Sequence, residues 1–274
     1  MIKTIVQKKT TSKHIHKITL RNLSIQFSLD GFSFCISNQD DEVYFLRNFT
    51  FPNTTSVDNC LQEIVAIFKT EEQLQTDFNT IFVVHQNYLN TIVPDKLFDE
   101  KELAAYLKFS VKTLATDAFD FDSISTIGAK NVYIPYTNIN NFLFQNFGAF
   151  EFKHHATVLI EKLLTKNKGT QMYLHISKNH IDIVLLKENN LHFYNSFKYS
   201  SKEDVMYYVL FTAEQLKMDP EEFILVLLGD IKKESELYNL LYTYIRNISF
   251  LENSNSLLES SAEFSNHSNF ILLG

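Results

Sequence analysis

Five short segments in a fixed order constrain the fold of this chain more than any other feature of its sequence. Met172-Tyr-Leu-His-Ile-Ser, Ile181-Asp-Ile-Val-Leu-Leu and Leu191-His-Phe-Tyr read as three successive strands. A helix follows from about Lys202 to Lys217, and then the wholly apolar strand Phe223–Leu228. Runs of four to eight apolar and β-branched residues between turn signals are strands, and the longer stretch with helical spacing is a helix. The order strand, strand, strand, helix, strand occurs once before, near the N-terminus. A shift of 149 carries Ile25-Gln-Phe-Ser28 onto Leu174-His-Ile-Ser177 and Phe32–Ile36 onto Ile181–Leu185. A shift of 148 carries Val43-Tyr-Phe45 onto Leu191-His-Phe193 and Phe49-Thr-Phe51 onto Phe197-Lys-Tyr199. Shifts of 142 and 143 then align Glu72-Gln-Leu74 with Glu214-Gln-Leu216 and Phe82-Val-Val84 with Leu225-Val-Leu227.

The drift is small and the apolar positions keep their phase. An internal duplication and two units that merely share a plan both fit this pattern. Either way the sequence predicts two α/β halves, residues 1–168 and 169–274, with an insertion at about 85–150 in the first. Strands are expected at about Thr19–Ser28, Phe32–Ser37, Glu42–Phe51 and Thr80–Val84, with Asp30-Gly31 at a hairpin turn. Ser56 caps a helix whose predicted apolar face is Val57, Leu61, Ile64, Val65 and Phe68. Thr70-x-x-Gln73 has the form of a capping box for a further turn. In the insertion, Asn87–Lys96 reads as a loop, Asp99 opens a short helix through Leu103 and Leu107, and Asp117–Tyr136 is β-rich. Thr137–Phe147 is a helix ended by Gly148. Ala149–Lys153 is a strand, and His154–Asn167 a helix stopped by Gly169.

In the second half Ser200-x-x-Glu203 reads as a capping box for a helix that is apolar nearly all round, and such a helix should be buried on both sides. Asp219-Pro220 makes a turn with Asp as cap and Pro at the first helical position. A long helix carries Leu237, Leu240, Leu241, Tyr244 and Ile245. Ile248–Leu251 and Phe270–Leu273 are expected as a last strand pair, with a Ser-, Asn- and Glu-rich mobile loop between them.

Composition narrows the function classes. Phenylalanine (25) and tyrosine (13) supply an aromatic core without tryptophan. The net charge of −7 argues against a broad nucleic-acid-binding surface. Met1–Arg21 does hold five lysines and one arginine without an acid. Its plainer reading is a solvated arm leading into an edge strand; a phosphate- or lipid-binding arm is the alternative. No apolar run approaches the ~20 residues that span a bilayer, and Met1–Lys17 lacks the apolar segment of a signal peptide. The two cysteines, Cys35 and Cys60, lack C-x-x-C spacing and read as buried thiols of a reducing cytoplasm.

Phosphate binding needs a nest of backbone amides or a helix N-terminus. The six glycines are all at least ten residues apart, so a Walker loop and a dinucleotide fingerprint are absent. The adjacent pair His154-His155 diverges by about 100° on a helix and cannot readily share a metal. His14-x-His16 would face one side of a strand without a third ligand. His175 and His180 flank a turn and could converge. Satisfied or solvated histidines are the plainer reading of all of these, and no Ser–His–acid arrangement emerges from spacing.

The two βββαβα halves, the insertion in the first and the final strand–Gly–helix unit resemble the actin-like ATPase fold. That ribonuclease H-like plan is shared by actin, sugar kinases, Hsp70-type chaperones and pilus-assembly proteins of actin type. Leu23-Ser-Ile-Gln-Phe-Ser-Leu-Asp-Gly-Phe-Ser-Phe and Tyr244-Ile-Arg-Asn-Ile look like an uncharacterised bacterial family assigned to this fold. In active members of the fold, Asp-x-Gly hairpins handle magnesium and phosphate. Here Gln26-Phe27-Ser28 and His175-Ile-Ser-Lys-Asn179 stand in their places. The adenosine turn retains one glycine, in Leu227-Leu-Gly-Asp230, and Asp182 matches a later acid of the second hairpin. The resemblance thus implies a nucleotide-cleft set of Gln26, Ser28, His175, Ser177, Lys178, Asp182, Gly229 and Asp230. The departures imply no catalytic residue, no metal ligand and no cofactor. The resulting expectation is a non-catalytic cytoplasmic binding or scaffold module that contacts a protein partner or a second copy. The alternative is a nucleotide-binding protein or slow ATPase that holds ATP and magnesium through an altered phosphate site.

Overall fold

The structure, a computed structural model, describes residues 6–12, 20–51, 56–252, 256–259 and 264–273. In chain order the elements are β1 (Val6–Thr11), β2 (Asn22–Ser28), β3 (Gly31–Ser37), β4 (Val43–Thr50), α1 (Val57–Thr70) and β5 (Thr80–His85). The insertion follows as β6 (Asn90–Pro94), α2 (Leu103–Leu107), β7 (Asp120–Ile124) and β8 (Ala129–Tyr133). Then come α3 (Thr137–Phe147), β9 (Glu151–His154) and α4 (His155–Lys166). The remaining elements are β10 (Gln171–Ile176), β11 (His180–Lys187), β12 (Asn190–Lys198), α5 (Lys202–Gln215), β13 (Ile224–Gly229), α6 (Glu236–Tyr244), β14 (Asn247–Phe250) and α7 (Ser256–Glu259). Two compact units emerge: Met1–Val158 with Asn255–Glu263 and Ile271–Gly274, and Leu159–Ser254 with Phe264–Phe270.

The two main sheets share one strand order. The second unit runs β12-β11-β10-β13-β14, and the first runs β4-β3-β2-β5-β9 with β1 added outside β4. In each, two hairpin-linked antiparallel pairs precede two parallel pairings. Crossovers of strand–helix–strand type demand parallel neighbours, because a helix returns the chain to the same end of the sheet. Even the irregularities correspond: the register slips between Ile36 and Ser37 opposite β4, and between Leu185 and Leu186 opposite β12.

In the first unit Phe27, Phe32, Phe34, Phe45, Phe49 and Phe51 pack under α1 and α3. In the second, Leu174, Ile181, Ile183 and Leu185 pack against Val205, Val209 and Ala213 of α5 and Leu241 of α6. The inserted sheet, ordered β6-β8-β7, has its own small core of Val93, Leu107, Val132 and Ile134.

Several expectations are corrected. Asn87–Lys96 contains strand β6, because Asn90–Pro94 pairs with β8. Part of the basic arm is the edge strand itself, with Val6–Thr11 paired to Phe45–Thr50; the rest of the arm and His14-x-His16 lie outside the described residues. Residues 270–273 form turns rather than a strand, and β14 pairs in parallel with β13. Ile271 and Leu272 are buried instead, and the Cys35 thiol donates to the Leu272 carbonyl at 3.7 Å. Cys35 is thereby buried on the sheet face that alternation had assigned to solvent. The loop expected between residues 252 and 269 contains α7; residues 253–255 and 260–263 lie outside the described residues.

The apolar face of α1 is centred on Cys60, Ile64, Ile67 and Phe68, one position away from the expected stripe. The Thr70 hydroxyl donates back to the carbonyls of Ala66 and Ile67 and makes no cap. On α5 the capping box belongs to Ser201 and Asp204, not to Ser200 and Glu203. That helix is not buried all round, since Tyr207 and Phe211 are 58% and 44% exposed. Asp30-Gly31 does not form the hairpin turn, which is Leu29-Asp30. Gly31 sits in β3, where a Cβ would lie 2.5 Å from the Phe49 carbonyl oxygen.

Candidate functional site

In open α/β sheets, ligands collect outside the carboxyl ends of parallel strands. In the second unit those ends belong to β10 and β13, paired in parallel from Met172↔Leu225 to Ile176↔Gly229. Gly229 has φ +88°, and a Cβ there would lie 2.2 Å from the Ile176 carbonyl oxygen. Both the left-handed backbone and the strand approach therefore require glycine. The Asp230 amide donates to Ile176 at 2.7 Å, and the Gly229 amide to the His267 carbonyl at 3.0 Å. His175, one residue before the end of β10, faces Asp182 across the β10–β11 pair. Its Nδ1 lies 2.9 Å from Asp182 Oδ2. Asp182 Oδ1 accepts from the Tyr194 hydroxyl at 3.2 Å and from the Ser196 hydroxyl. This fully buried carboxylate is thus engaged at both oxygens by residues of its own sheet.

The turn between β10 and β11 is short and tied down. The Ser177 amide donates to the His180 carbonyl at 2.9 Å, and Tyr199 holds the Ser177 carbonyl with its hydroxyl (2.7 Å) and the Asn179 carbonyl with its amide (3.0 Å). No residue of this turn has positive φ. An anion nest alternates right- and left-handed residues, so this turn does not present one. Lys178 is exposed in it, and Asp230 is exposed just past β13.

In the first unit the corresponding turn is again without a left-handed residue. The Gln26 side-chain amide donates to Gln86 Oε1 at 2.6 Å. Ser28 Oγ accepts from the Asp30 amide at 3.1 Å, and its carbonyl takes the Cys60 thiol at 3.2 Å. Burial pushes that thiol up to about 12, so it stays protonated. The structure therefore brings His175 and Asp182 into contact and sets Ser177, Gly229 and Asp230 around the end of β10. Gln26 and Ser28 stand at the equivalent strand end of the first unit. His175 pairs with Asp182 and does not converge with His180.

Sequence reasoning missed a larger buried polar cluster in the first unit. Asp122 on β7 accepts from the His154 amide (2.8 Å), the Thr157 hydroxyl (2.6 Å) and the Tyr133 hydroxyl (3.2 Å). His154 Nδ1 accepts from the Ala156 amide (3.2 Å) and Asn131 Nδ2 (3.0 Å), which leaves Nε2 to donate to the Asn87 carbonyl at 3.0 Å. His154 is thus a neutral side-chain cap of α4, and Asp122 braces the same helix end from the inserted sheet. Burial nevertheless pushes the Asp122 carboxyl up to about 6. His85, also buried, donates from Nε2 to Asn140 at 2.8 Å and accepts the Tyr136 amide at Nδ1. Burial lowers it to about 4, so it is neutral at pH 7. The adjacency His154-His155 was the one visible signal, but spacing could not reveal Asp122, 32 residues away. Among the described residues, no three His, Cys, Asp or Glu side chains are grouped as a metal ion would need.

Comparison with known proteins is consistent with this plan. Residues 10–248 match a family described as "Protein of unknown function (DUF3822)". A comparison with curated proteins finds no match. A Bacteroides thetaiotaomicron protein of actin-like ATPase fold and unknown function superposes with a TM-score of 0.77 at 22% identity, covering 86% of this chain and 92% of that one. A structure of the PilM–PilN type IV pilus biogenesis complex gives 0.57 at 13% identity, covering 84% and 88%. The ethanolamine utilization protein EutJ from Carboxydothermus hydrogenoformans gives 0.51 at 7% identity, covering 95% and 94%. The fold is that of the actin-like ATPases.

Proposed function

The chain belongs to the DUF3822 family of proteins of unknown function, and from that premise we propose that it is a binding or scaffold module built on an actin-like frame without phosphate chemistry of its own. One observation carries this reading: the second hairpin, where active relatives hold phosphate and magnesium, is committed to internal contacts. Asp182 is taken up by His175, Tyr194 and Ser196, and Tyr199 holds both turn carbonyls. A carboxylate that orders a hydrated magnesium must offer a lone pair outward, and freeing Asp182 would leave buried donors unmatched. The lack of left-handed residues in either turn supports the same reading. So does the PilM–PilN complex, in which a protein of this fold is found together with another protein.

We assign the module to the cytoplasm. Among the described residues no helix is long and apolar enough to cross a membrane, and both cysteines are buried outside any disulfide.

The test is titration of the full chain with ATP and magnesium, read by calorimetry and thermal melting. A ligand that binds the native state must raise its melting temperature. The expected result is no heat and no shift at millimolar nucleotide. A magnesium-dependent shift that disappears in H175A or G229V would overturn the proposal in favour of the nucleotide-binding alternative.

A further inference from the structure

The matching strand orders leave one position filled in the first unit and open in the second. Beside β4 lies β1, paired antiparallel over Phe45–Thr50. The counterpart of β4 is β12, and the shift of 148 carries Phe45–Thr50 onto Phe193–Lys198. The bulges coincide as well, since the register slips just before Phe45 in β4 and just before Phe193 in β12. Among the described residues, β12 is paired on one side only. We propose that this edge of β12 is a self-association surface, on which a second copy of the chain lays its own β12 antiparallel about a two-fold axis.

Three observations select a second copy as the occupant. The first is charge. Natural edges are blunted by lysine, and β1, the outer strand of the first unit, carries Lys8 and Lys9. From Asn190 to Phe197, β12 carries no Lys, Arg, Asp or Glu. A two-fold antiparallel pair sets one residue opposite itself. With that residue at Tyr194, Lys198 faces Asn190 of the other copy and lies diagonal to its Glu188, within reach of long side chains. Two symmetric, complementary ion pairs result.

The second observation is the helix above the edge. Phe197 of β12 stacks on Tyr208 of α5 at 4.5 Å between ring centroids, so α5 overlies the β12 side of the sheet. Phe250 of β14 stacks on Tyr238, which puts α6 over the other side. Helical spacing turns Phe211 toward the flank of Tyr208, away from α6. Exposed Phe211 stacks on exposed Tyr207 at 5.6 Å. Edge pairing of two sheets brings their outer helices side by side, and this aromatic pair then meets its copy.

The third observation is Asn195. It is exposed at mid-strand, and its side-chain oxygen accepts the Ser196 amide at 2.9 Å. That is a local side-chain substitute for a strand partner, exchangeable for a carbonyl of the second copy.

This inference deepens the scaffold reading by naming its partner and surface, yet it fails separately, because nucleotide titration does not probe β12. The experiment is sedimentation of the full chain with K198E, E188K, the double variant and F211E. All three positions lie at or near the surface, so melting curves confirm that each variant folds. The expected result is a reversible dimer. Each single charge reversal weakens it about tenfold, the double variant recovers it, and F211E weakens it further. A monomer at every concentration, or a dimer indifferent to the reversals and to F211E, overturns the proposal.

Discussion

At the residue scale, the informative groups are those whose surroundings oppose their chemistry. His85 and Asp122 are both buried, and they titrate in opposite senses. The folded pKa of His85, about 4, lies below its ordinary 6.5. Its contribution is complete above pH 6.5 and is lost as pH falls toward 4, because only the unfolded chain takes the proton. The folded pKa of Asp122, about 6, lies above its ordinary 3.8. Its contribution is complete below 3.8 and is lost as pH rises through 6. Each displacement is worth roughly 3 kcal/mol, so between pH 6.5 and 4 the two nearly cancel. In D122N the Tyr133 hydroxyl can reverse to accept, and only the His85 slope remains. Urea unfolding at pH 7 and pH 4.5 should show D122N losing roughly 2–3 kcal/mol more than the parent chain on acidification. A difference between the two chains that does not change with pH would refute this account. Arg47 is a second case. It pairs with buried Glu71 and lies 4.9 Å from the Phe49 ring centroid. R47M should cost about 3–5 kcal/mol in denaturant unfolding, since it leaves a carboxylate buried without its countercharge. Gly229→Ala should cost at least about 2 kcal/mol, because φ and the Ile176 carbonyl both exclude a Cβ.

At the scale of elements, sequence pattern located strands and helices well and their ends less well. Thr137–Phe147 was legible to the residue, because an apolar 3.6-residue period stops at a glycine with φ +75°. The cap of α5 was not, because Ser200 and Ser201 each have an acid three residues on. Only the observed backbone decides between them: Asp204 receives both amides, and Ser201 Oγ receives the Asp204 amide at 3.2 Å. S201A should therefore lower stability by about 1 kcal/mol, and S200A by only a few tenths. Equal losses in thermal melts would contradict the assignment. Strand β6 was missed for a different reason. A five-residue segment ending in proline has weak intrinsic signal, and its pairing with β8 lies about 40 residues away.

At the scale of the whole molecule, two units with one strand order explain why apolar phase repeats while identity does not. Burial fixes which positions are apolar, not which residue fills them. Neither cysteine is in a disulfide and both are buried, so the melting temperature should be the same with and without a reductant. A lower temperature under reduction would reveal a bridge and sink the reading. By itself, the sequence determined the order of elements, the two α/β halves and the missing glycine and acid signatures, because periodicity, turn chemistry and composition are local. Only the tertiary structure decided that Asp182 is consumed by its own sheet, that Asp122 and His154 together close the start of α4, and that Cys35 lies beneath the C-terminal segment. Those facts are contacts between residues far apart in the chain, and partners brought together by packing leave no mark in the spacing of either one.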